Sequence, residues 1–321
     1  MRAIVIEEHG GPEVLQLTER PDPTPGPGEA LVDVEARGVN FIDVYQRSGA
    51  YNVPLPFVPG MEAAGVVAAV GEGVTDLSVG RRVGWAMAPG GYADRAVVSA
   101  GLLVPLPDDV SADQAAALFL QGLTAHYLTH SVHPVAKGDT VLVHAAAGGT
   151  GLLITQLAKE RGARVIGTVS TKEKERVARE AGADEVIRYT ESPVAESVRD
   201  LTGGEGVAAV YDGVGRDTFD ASLASLRPRG VLALFGQASG AVEPVDPQRL
   251  NSAGSVYLTR PSLAYFVADR EELLGRCRDL FSLVGAGRLN VRVGGRYPLA
   301  DAGRAHADLA ARRTTGKLLL T

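Results

Sequence analysis

The sequence predicts an α/β fold, a doubly wound parallel sheet accompanied by a second domain that is a small β-barrel. Three observations lead there. Strands and helices alternate from residue 140 to about residue 261. The stretch before that, to about residue 120, breaks into short strands punctuated by glycine and proline. At 321 residues the chain exceeds a usual single domain, so two are expected.

Taken in order, residues 3–7 and 14–19 read as short strands joined by the Gly10-Gly11-Pro12 turn. Residues 21–27 form a proline-rich connector. Residues 29–38 alternate Ala30, Val32, Val34 and Ala36 on one face, the period of a half-buried strand. Residues 40–48 read as a short helix, and 65–70, 82–85 and 95–99 as further strands of the barrel. Ser111 and Gln114 make a Ser-x-x-Gln capping box ahead of a helix over 115–118, and a second helix is expected over 122–131. Strands then follow at 141–144, 164–169, 185–188, 207–211 and 231–235. Helices at 152–161, 172–181, 193–202 and 218–225 lie between them. Ser192-Pro193 reads as an N-cap with proline at the first helical position. Helices at 270–284 and 301–311 and a strand at 317–320 end the pattern.

The stretch from Val141 to Gly151 organises the rest. In a G-x-G-x-x-G fingerprint the glycines stand at i, i+2 and i+5, and here those places hold Ala146, Gly148 and Gly151. Gly148 lets backbone approach a pyrophosphate, and Gly151 lets the helix pack closely on the strand. The first helical residues, Gly149, Thr150 and Gly151, offer N–H groups and the positive dipole end to phosphates. Incidental glycines at a strand–helix corner are the plain alternative. The strand before, the helix after and the second strand beyond favour a dinucleotide site.

Composition bounds the function. The net charge is −6, and no basic block suggests nucleic acid. No apolar run reaches the roughly eighteen residues of a membrane span. The opening residues have no signal-peptide pattern. The one cysteine, Cys277, forms no internal disulfide and fits a reducing compartment, so a cytoplasmic location is expected. The six histidines show no metal spacing. His126 and His130 stand i,i+4 but lack a third ligand, so they read as one face of a helix.

Several longer motifs run in order along the whole chain. They are Gly10-Gly11-Pro12-Glu13-Val14-Leu15, Gly38-Val39-Asn40-Phe41-Ile42-Asp43-Val44-Tyr45, His144 to Gly151, Tyr211-Asp212-Gly213-Val214-Gly215 and Thr259-Arg260-Pro261-Ser262. With them the chain resembles the quinone oxidoreductases of the medium-chain dehydrogenase/reductase superfamily, the group that includes zeta-crystallin. The resemblance implies a GroES-like barrel domain from residues 1–122 and 261–321 and a Rossmann NADP-binding domain from residues 123–260. It also implies a homodimer, formed where edge strands pair across a two-fold axis. The zinc-dependent relatives place a cysteine ligand where this chain has Asn40 and a histidine ligand where it has Met61. The expectation is therefore chemistry without a metal, on a substrate that accepts hydride readily.

In NAD enzymes an acid about twenty positions past the glycine turn holds the ribose 2′-hydroxyl. Here that strand ends Val169-Ser170-Thr171, which permits NADPH as the cofactor. Ser170, Lys174 and Tyr189 supply donors and a positive charge; the resemblance assigns these places, with Arg312, to the 2′-phosphate. Arg313 stands ready as a substitute for Arg312, and Lys174 could equally be a solvated helix lysine. Phe235, Gly236 and Gln237 sit at the carboxyl end of a strand, where open α/β sheets bind ligands. Leu258 and Arg260 match cofactor-contacting positions of the family. Around the nicotinamide the resemblance implies Tyr45 and Asn40 as catalytic and cofactor-contacting residues, with Asp43, Tyr51 and Gln121 in the substrate pocket. Asn40 could instead simply cap its helix. No Ser-His-Asp or Cys-His arrangement is evident near the glycine turn.

The function expected is NADPH-dependent quinone reduction without zinc. Reduction of activated double bonds in enones and enals is the near alternative. From other classes come a single-stranded nucleic-acid-binding protein, which the charge disfavours, and a structural protein with a vestigial cofactor site.

Overall fold

The structure is a computed structural model that describes residues 1–321. The chain forms two compact units. One comprises Met1–Leu123, Val267–Gly285 and Val291–Thr321; the other comprises Thr124–Phe266 and Ala286–Asn290.

The first unit is a seven-stranded, mostly antiparallel sheet with a separate hairpin, Arg2–Val5 with Gln16–Glu19. Its long strand, Glu29–Val39, pairs with Glu62–Val70, with Arg95–Ser99 and with Lys317–Leu320. Two register shifts against Glu62–Val70 bend it, as bulges do where a sheet curls towards closure. Trp85, Val32, Val67, Val83 and Leu103 fill one core, and Ile4, Ile6, Val39, Leu318 and Leu320 fill another. The two strands of this unit that the sequence pattern does not announce are Val293–Tyr297 and Val104–Pro105. Gly294-Gly295 breaks the apolar alternation of the first, which is held by parallel pairing with Lys317–Leu320.

The second unit is a six-stranded sheet, parallel throughout. Its order is Glu185–Arg188, Arg164–Val169, Thr140–Val143, Val207–Asp212, Leu226–Leu234, Tyr257–Thr259. Numbered along the chain this is 3-2-1-4-5-6, the dinucleotide-binding order, with its switch point between the first and fourth strands. Leu142, Ile166, Val210 and Leu232 pack beneath the helices as near-continuous apolar strands do when both faces are covered.

Three local expectations change. The helices expected at 115–118 and 122–131 are one helix, Ala112–Tyr127, followed by a wider π turn, Leu128–Val132. Gly122 does not break it, because a Cβ there would lie 2.7 Å from Leu118 Cδ1: the glycine makes room for packing. The capping box holds, with Ser111 Oγ accepting from Gln114 N at 3.2 Å and Gln114 Oε1 accepting from Ser111 N at 3.0 Å. Ser192 does not cap the next helix; Pro193 is the N-cap of Val194–Leu201, with no side-chain bond. The fifth strand begins at Leu226, earlier than its apolar run suggests, because a register shift carries it past Pro228 and Gly230.

Candidate functional site

In the parallel-sheet unit the first strand, Thr140–Val143, runs into a tight turn. Ala145 adopts a left-handed φ of +50°, and its carbonyl accepts from Gly148 N at 2.8 Å. The helix Gly149–Glu160 follows, with Gly148 as an extended N-cap and no side chain capping it. The N–H groups of its first turn are thus left without a side-chain partner. A Cβ on Gly151 would lie 2.4 Å from the Ala145 carbonyl oxygen, so only glycine fits there. A Cβ on Gly148 would meet only that same oxygen, at 3.2 Å, and no other atom beyond its own chain neighbours within 4 Å. An uncapped helix end behind such a turn suits a pyrophosphate.

The second strand ends at Val169, and Arg188 pairs with Val169, so Ser170 and Tyr189 leave the sheet side by side. Thr171 caps the next helix by accepting from Lys174 N at 3.2 Å, which brings Lys174 onto the same edge. Residues 169–171 at this strand end carry no carboxylate, the nearby Glu175 and Glu191 are paired with Arg188, and Tyr189 is 40% exposed. A ribose 2′-phosphate fits such an edge; a bare 2′-hydroxyl would lack its acidic partner. At the end of the fifth strand Phe235 N donates to Asp212 O at 2.8 Å. A Cβ on Gly236 would sit 2.5 Å from Gly213 O, so the backbone of Phe235, Gly236 and Gln237 lies flat against the neighbouring turn. Leu258 pairs with Leu232 on the edge strand, and exposed Arg260 follows its end. Arg312 belongs to the other unit, exposed at φ +56° after the helix Ala302–Ala310. Neighbouring Arg313 lies 3.6 Å from Asp308.

Beneath the switch point is a network that the sequence pattern did not disclose. Asp212, fully buried, accepts from Val214 N at 2.8 Å and Gly215 N at 3.0 Å. It also accepts from Thr218 Oγ1 at 2.7 Å and Ser222 Oγ at 2.7 Å. Ser222 has one hydrogen and gives it to Asp212, so it accepts from His144 Nε2 at 2.9 Å. His144 Nδ1 is then bare and accepts from Thr168 Oγ1 at 3.0 Å. Burial lowers the His144 pKa and holds the ring neutral. A serine, a histidine and an aspartate do meet here, contrary to the sequence reading. The serine is central and all three are buried, so the group braces the strand ends and is no hydrolytic triad.

In the barrel unit Asn40 precedes the helix Phe41–Arg47. Its amide is fully engaged. Oδ1 accepts from Lys317 Nζ at 2.7 Å and Gln121 Nε2 at 3.3 Å, while Nδ2 donates to Glu62 Oε2 at 2.8 Å. Lys317 and Glu62 form an ion pair at 1% and 0% side-chain exposure. Glu62 Oε1 also accepts from Leu120 N at 2.7 Å. Asp43 is wholly buried and ties the turn together, accepting from Asn40 N at 2.9 Å, Met61 N at 3.0 Å and Tyr92 Oη at 3.3 Å. Asn40 and Asp43 therefore act on the site mainly through the groups they hold. Burial raises the Asp43 pKa to about 6, against the pull of its two backbone donors. Tyr92 Oη in turn meets His306 Nε2 at 3.0 Å. Tyr45 and Tyr51 stay partly exposed, with ring centroids 5.1 Å apart.

The chain holds no cluster of three or more His, Cys, Asp or Glu that could bind a metal ion. His126 and His130 stack ring on ring at 4.0 Å. Cys277 is buried, and burial pushes its thiol up to about 12, which leaves it unreactive. The sequence pattern singles out neither residue: Glu62 lies outside the strand expected over 65–70, Lys317 merely begins the last one, and nothing local says that they pair.

Two family models match the chain, the alcohol dehydrogenase GroES-like domain over residues 26–108 and the zinc-binding dehydrogenase over residues 149–272. Fold and site residues together define a medium-chain dehydrogenase/reductase. A mycobacterial protein solved in complex with NADPH is 57% identical with a TM-score of 0.97, covering 100% of this chain and 99% of its own. The quinone oxidoreductase of Escherichia coli, also solved with NADPH, is 45% identical with a TM-score of 0.98, covering 100% and 99%. A 2-haloacrylate reductase from a Burkholderia species is 43% identical over 99% of this chain and 98% of its own. The chain belongs to the quinone oxidoreductase family and is an oxidoreductase of that family.

The buried histidines make stability depend on pH. Burial and then the Arg47 charge lower the His306 pKa to about 3, below its usual 6.5. A lowered histidine contributes stability that is present above pH 6.5 and lost as pH falls towards 3, at about 1.4 kcal/mol per pH unit. His144 shifts in the same direction. Asp43, with its raised pKa, works against them between pH 6 and 4. The melting temperature should fall by a few degrees between pH 7.5 and 5.5, and His306→Gln should flatten that fall. Equal slopes in both proteins would remove His306 as the cause.

Proposed function

We propose that this protein catalyses zinc-independent reduction of a quinone by NADPH. The observation that carries the reading is the uncapped Gly149–Glu160 helix behind its glycine turn, next to a strand end, Val169-Ser170-Thr171, that carries no acid. When bound, NADPH supplies a hydride to the quinone, and the protein supplies position and polarity. Gly148, Gly149, Thr150 and Gly151 bind the pyrophosphate. Ser170, Lys174 and Tyr189, with Arg312, bind the 2′-phosphate. Phe235, Gly236, Gln237, Leu258 and Arg260 line the cofactor. Tyr45 donates its hydroxyl hydrogen to the quinone oxygen as negative charge develops there. Asn40 is held rigid by its four polar neighbours and fixes the start of the helix that presents Tyr45. Tyr51 and Gln121 complete the acceptor pocket, with Asp43 as its internal brace.

Reduction of an activated double bond is the second reading, and the 2-haloacrylate reductase among the relatives favours it. Both reactions use the same residues. A cytoplasmic homodimer completes the proposal. Tyr257–Thr259 is the outer strand of the parallel sheet, and Tyr257 is 61% exposed there. An open edge of this kind is closed by pairing with a second copy. No helix is long and apolar enough to cross a membrane.

Four measurements test this. Lys174→Ala should raise the Michaelis constant for NADPH about ten- to a hundredfold, the worth of a charge-assisted hydrogen bond, and leave that for NADH nearly unchanged. Equal effects on both cofactors would make Lys174 structural. Tyr45→Phe should lower kcat about tenfold or more with little change in NADPH affinity. NADPH deuterated on the transferred face of C4 should show a primary isotope effect in single turnover. Loss of affinity at unchanged kcat would make Tyr45 a cofactor contact only. Sedimentation at micromolar protein should give twice the chain mass, and an active monomer would refute the dimer.

A further inference from the structure

His144 and Asp212 stand level, one position past the Val143–Tyr211 pair, on the two neighbouring strands between which the sheet order reverses. Dinucleotides cross an open α/β sheet at this crevice, with one mononucleotide over each half. The glycine turn and the Val169–Thr171 strand end belong to the first half and suit the adenine nucleotide, so the nicotinamide nucleotide falls to the half whose first strand ends at Asp212. Asp212 carries a charge there that no cation cancels. Its oxygens accept from Val214 N, Gly215 N, Thr218 Oγ1 and Ser222 Oγ, all neutral donors, and it forms no ion pair. A group that only accepts has the hydrogen-bonding pattern of the ionised carboxylate. His144, linked to it through Ser222, is held neutral by burial. Arg216 and Asp217, which follow in the turn, are exposed and face each other at 3.6 Å. Neutral donors turn their dipoles towards a carboxylate but leave its unit charge in place, and inside a protein that charge is felt well beyond its contacts.

The nicotinamide ring is a cation in NADP+ and neutral in NADPH. A fixed negative charge in its half of the crevice therefore acts on the two forms differently. We infer that Asp212 sets the redox preference of this site: its charge favours the oxidised cofactor over the reduced one, without touching either. The inference rests on the reading of the crevice as the NADP(H) site. Tighter holding of the oxidised form makes the bound reduced form the stronger hydride donor, which suits a reductase. It also makes the enzyme sensitive to inhibition by NADP+.

The charge can be removed while the hydrogen bonds are kept. In Asp212→Asn the amide oxygen stays on the two backbone N–H groups, and the NH2 group donates to Thr218 and Ser222. Ser222 then gives its hydrogen to His144 Nε2, and His144 Nδ1–H donates to Thr168 Oγ1, so the chain survives with each direction reversed. Nitrogen NMR shifts of the His144 ring should report that change of tautomer. The test itself is the pair of dissociation constants for NADP+ and NADPH, measured calorimetrically on each protein. The ratio Kd(NADP+)/Kd(NADPH) should rise about fivefold in Asp212→Asn, the scale of one unit charge acting across a protein site. Asp212→Ser, also neutral, should raise it similarly, so the result does not hang on one variant. Ser222→Ala disturbs the same chain and keeps the charge; it should lower the melting temperature and leave the ratio as in the wild type. A group that only braces the strands would weaken both forms equally. An unchanged ratio in the neutral variants, or an equal rise in Ser222→Ala, overturns the inference and leaves the cofactor site standing. A wild type that binds neither form at micromolar concentration overturns the NADP(H) reading, and this inference with it.

Discussion

Asp212 is a carboxylate buried in the middle of a sheet with no cation beside it. Four neutral donors take the place of a counter-ion: two backbone N–H groups of the following turn and the hydroxyls of Thr218 and Ser222. The requirement to satisfy that carboxylate shapes everything around it. It bends the 213–215 turn inward, sets where the Phe219–Ser225 helix begins, and through Ser222 dictates which nitrogen of His144 carries the proton. His144 opens the glycine turn, and Thr168 lies on the next strand, so three strand ends are braced by one buried charge. Fixed dipoles here take the part that a counter-ion takes elsewhere.

The barrel unit meets the same demand with an ion pair. Glu62 has a mid-chain carboxylate to satisfy, and Lys317 reaches it from the last strand, with Asn40 and the backbone of Leu120 filling the remaining lone pairs. A buried pair of this kind contributes little net stability. Its consequence is orientation, because it leaves the Asn40 amide that touches both charges one permitted direction. Asp43, Tyr92 and His306 form the adjoining polar layer, and there the ring is kept neutral by burial and by Arg47. Both units therefore hold neutral histidines and fully paired carboxylates in their interiors.

Much of the fold and part of the candidate site can be read directly from residues in order. The alternation after residue 140, the Ser111–Gln114 cap and the glycines at 148 and 151 are local patterns with local causes: side-chain period, end-group satisfaction and the space a Cβ would need. The lack of an acid after Val169 is also a local fact, and it points to the cofactor. Elements with weak local signals were missed or split. Val293–Tyr297 is held by its neighbour strand, and Gly122 suggests a break where the packed helix continues.

Sequence alone determined the two-domain α/β order, the dinucleotide turn and the residue types available to a site. Only the tertiary structure decided what those residues do. Lys317 and Glu62 are 255 positions apart, and His144 and Ser222 are 78. Whether a buried charge is paired, which tautomer a ring adopts and which way an amide faces depend on donors and acceptors supplied by distant strands. Such compensation follows no period along the chain. It appears only when folding removes water and each polar group must find its partner within the protein.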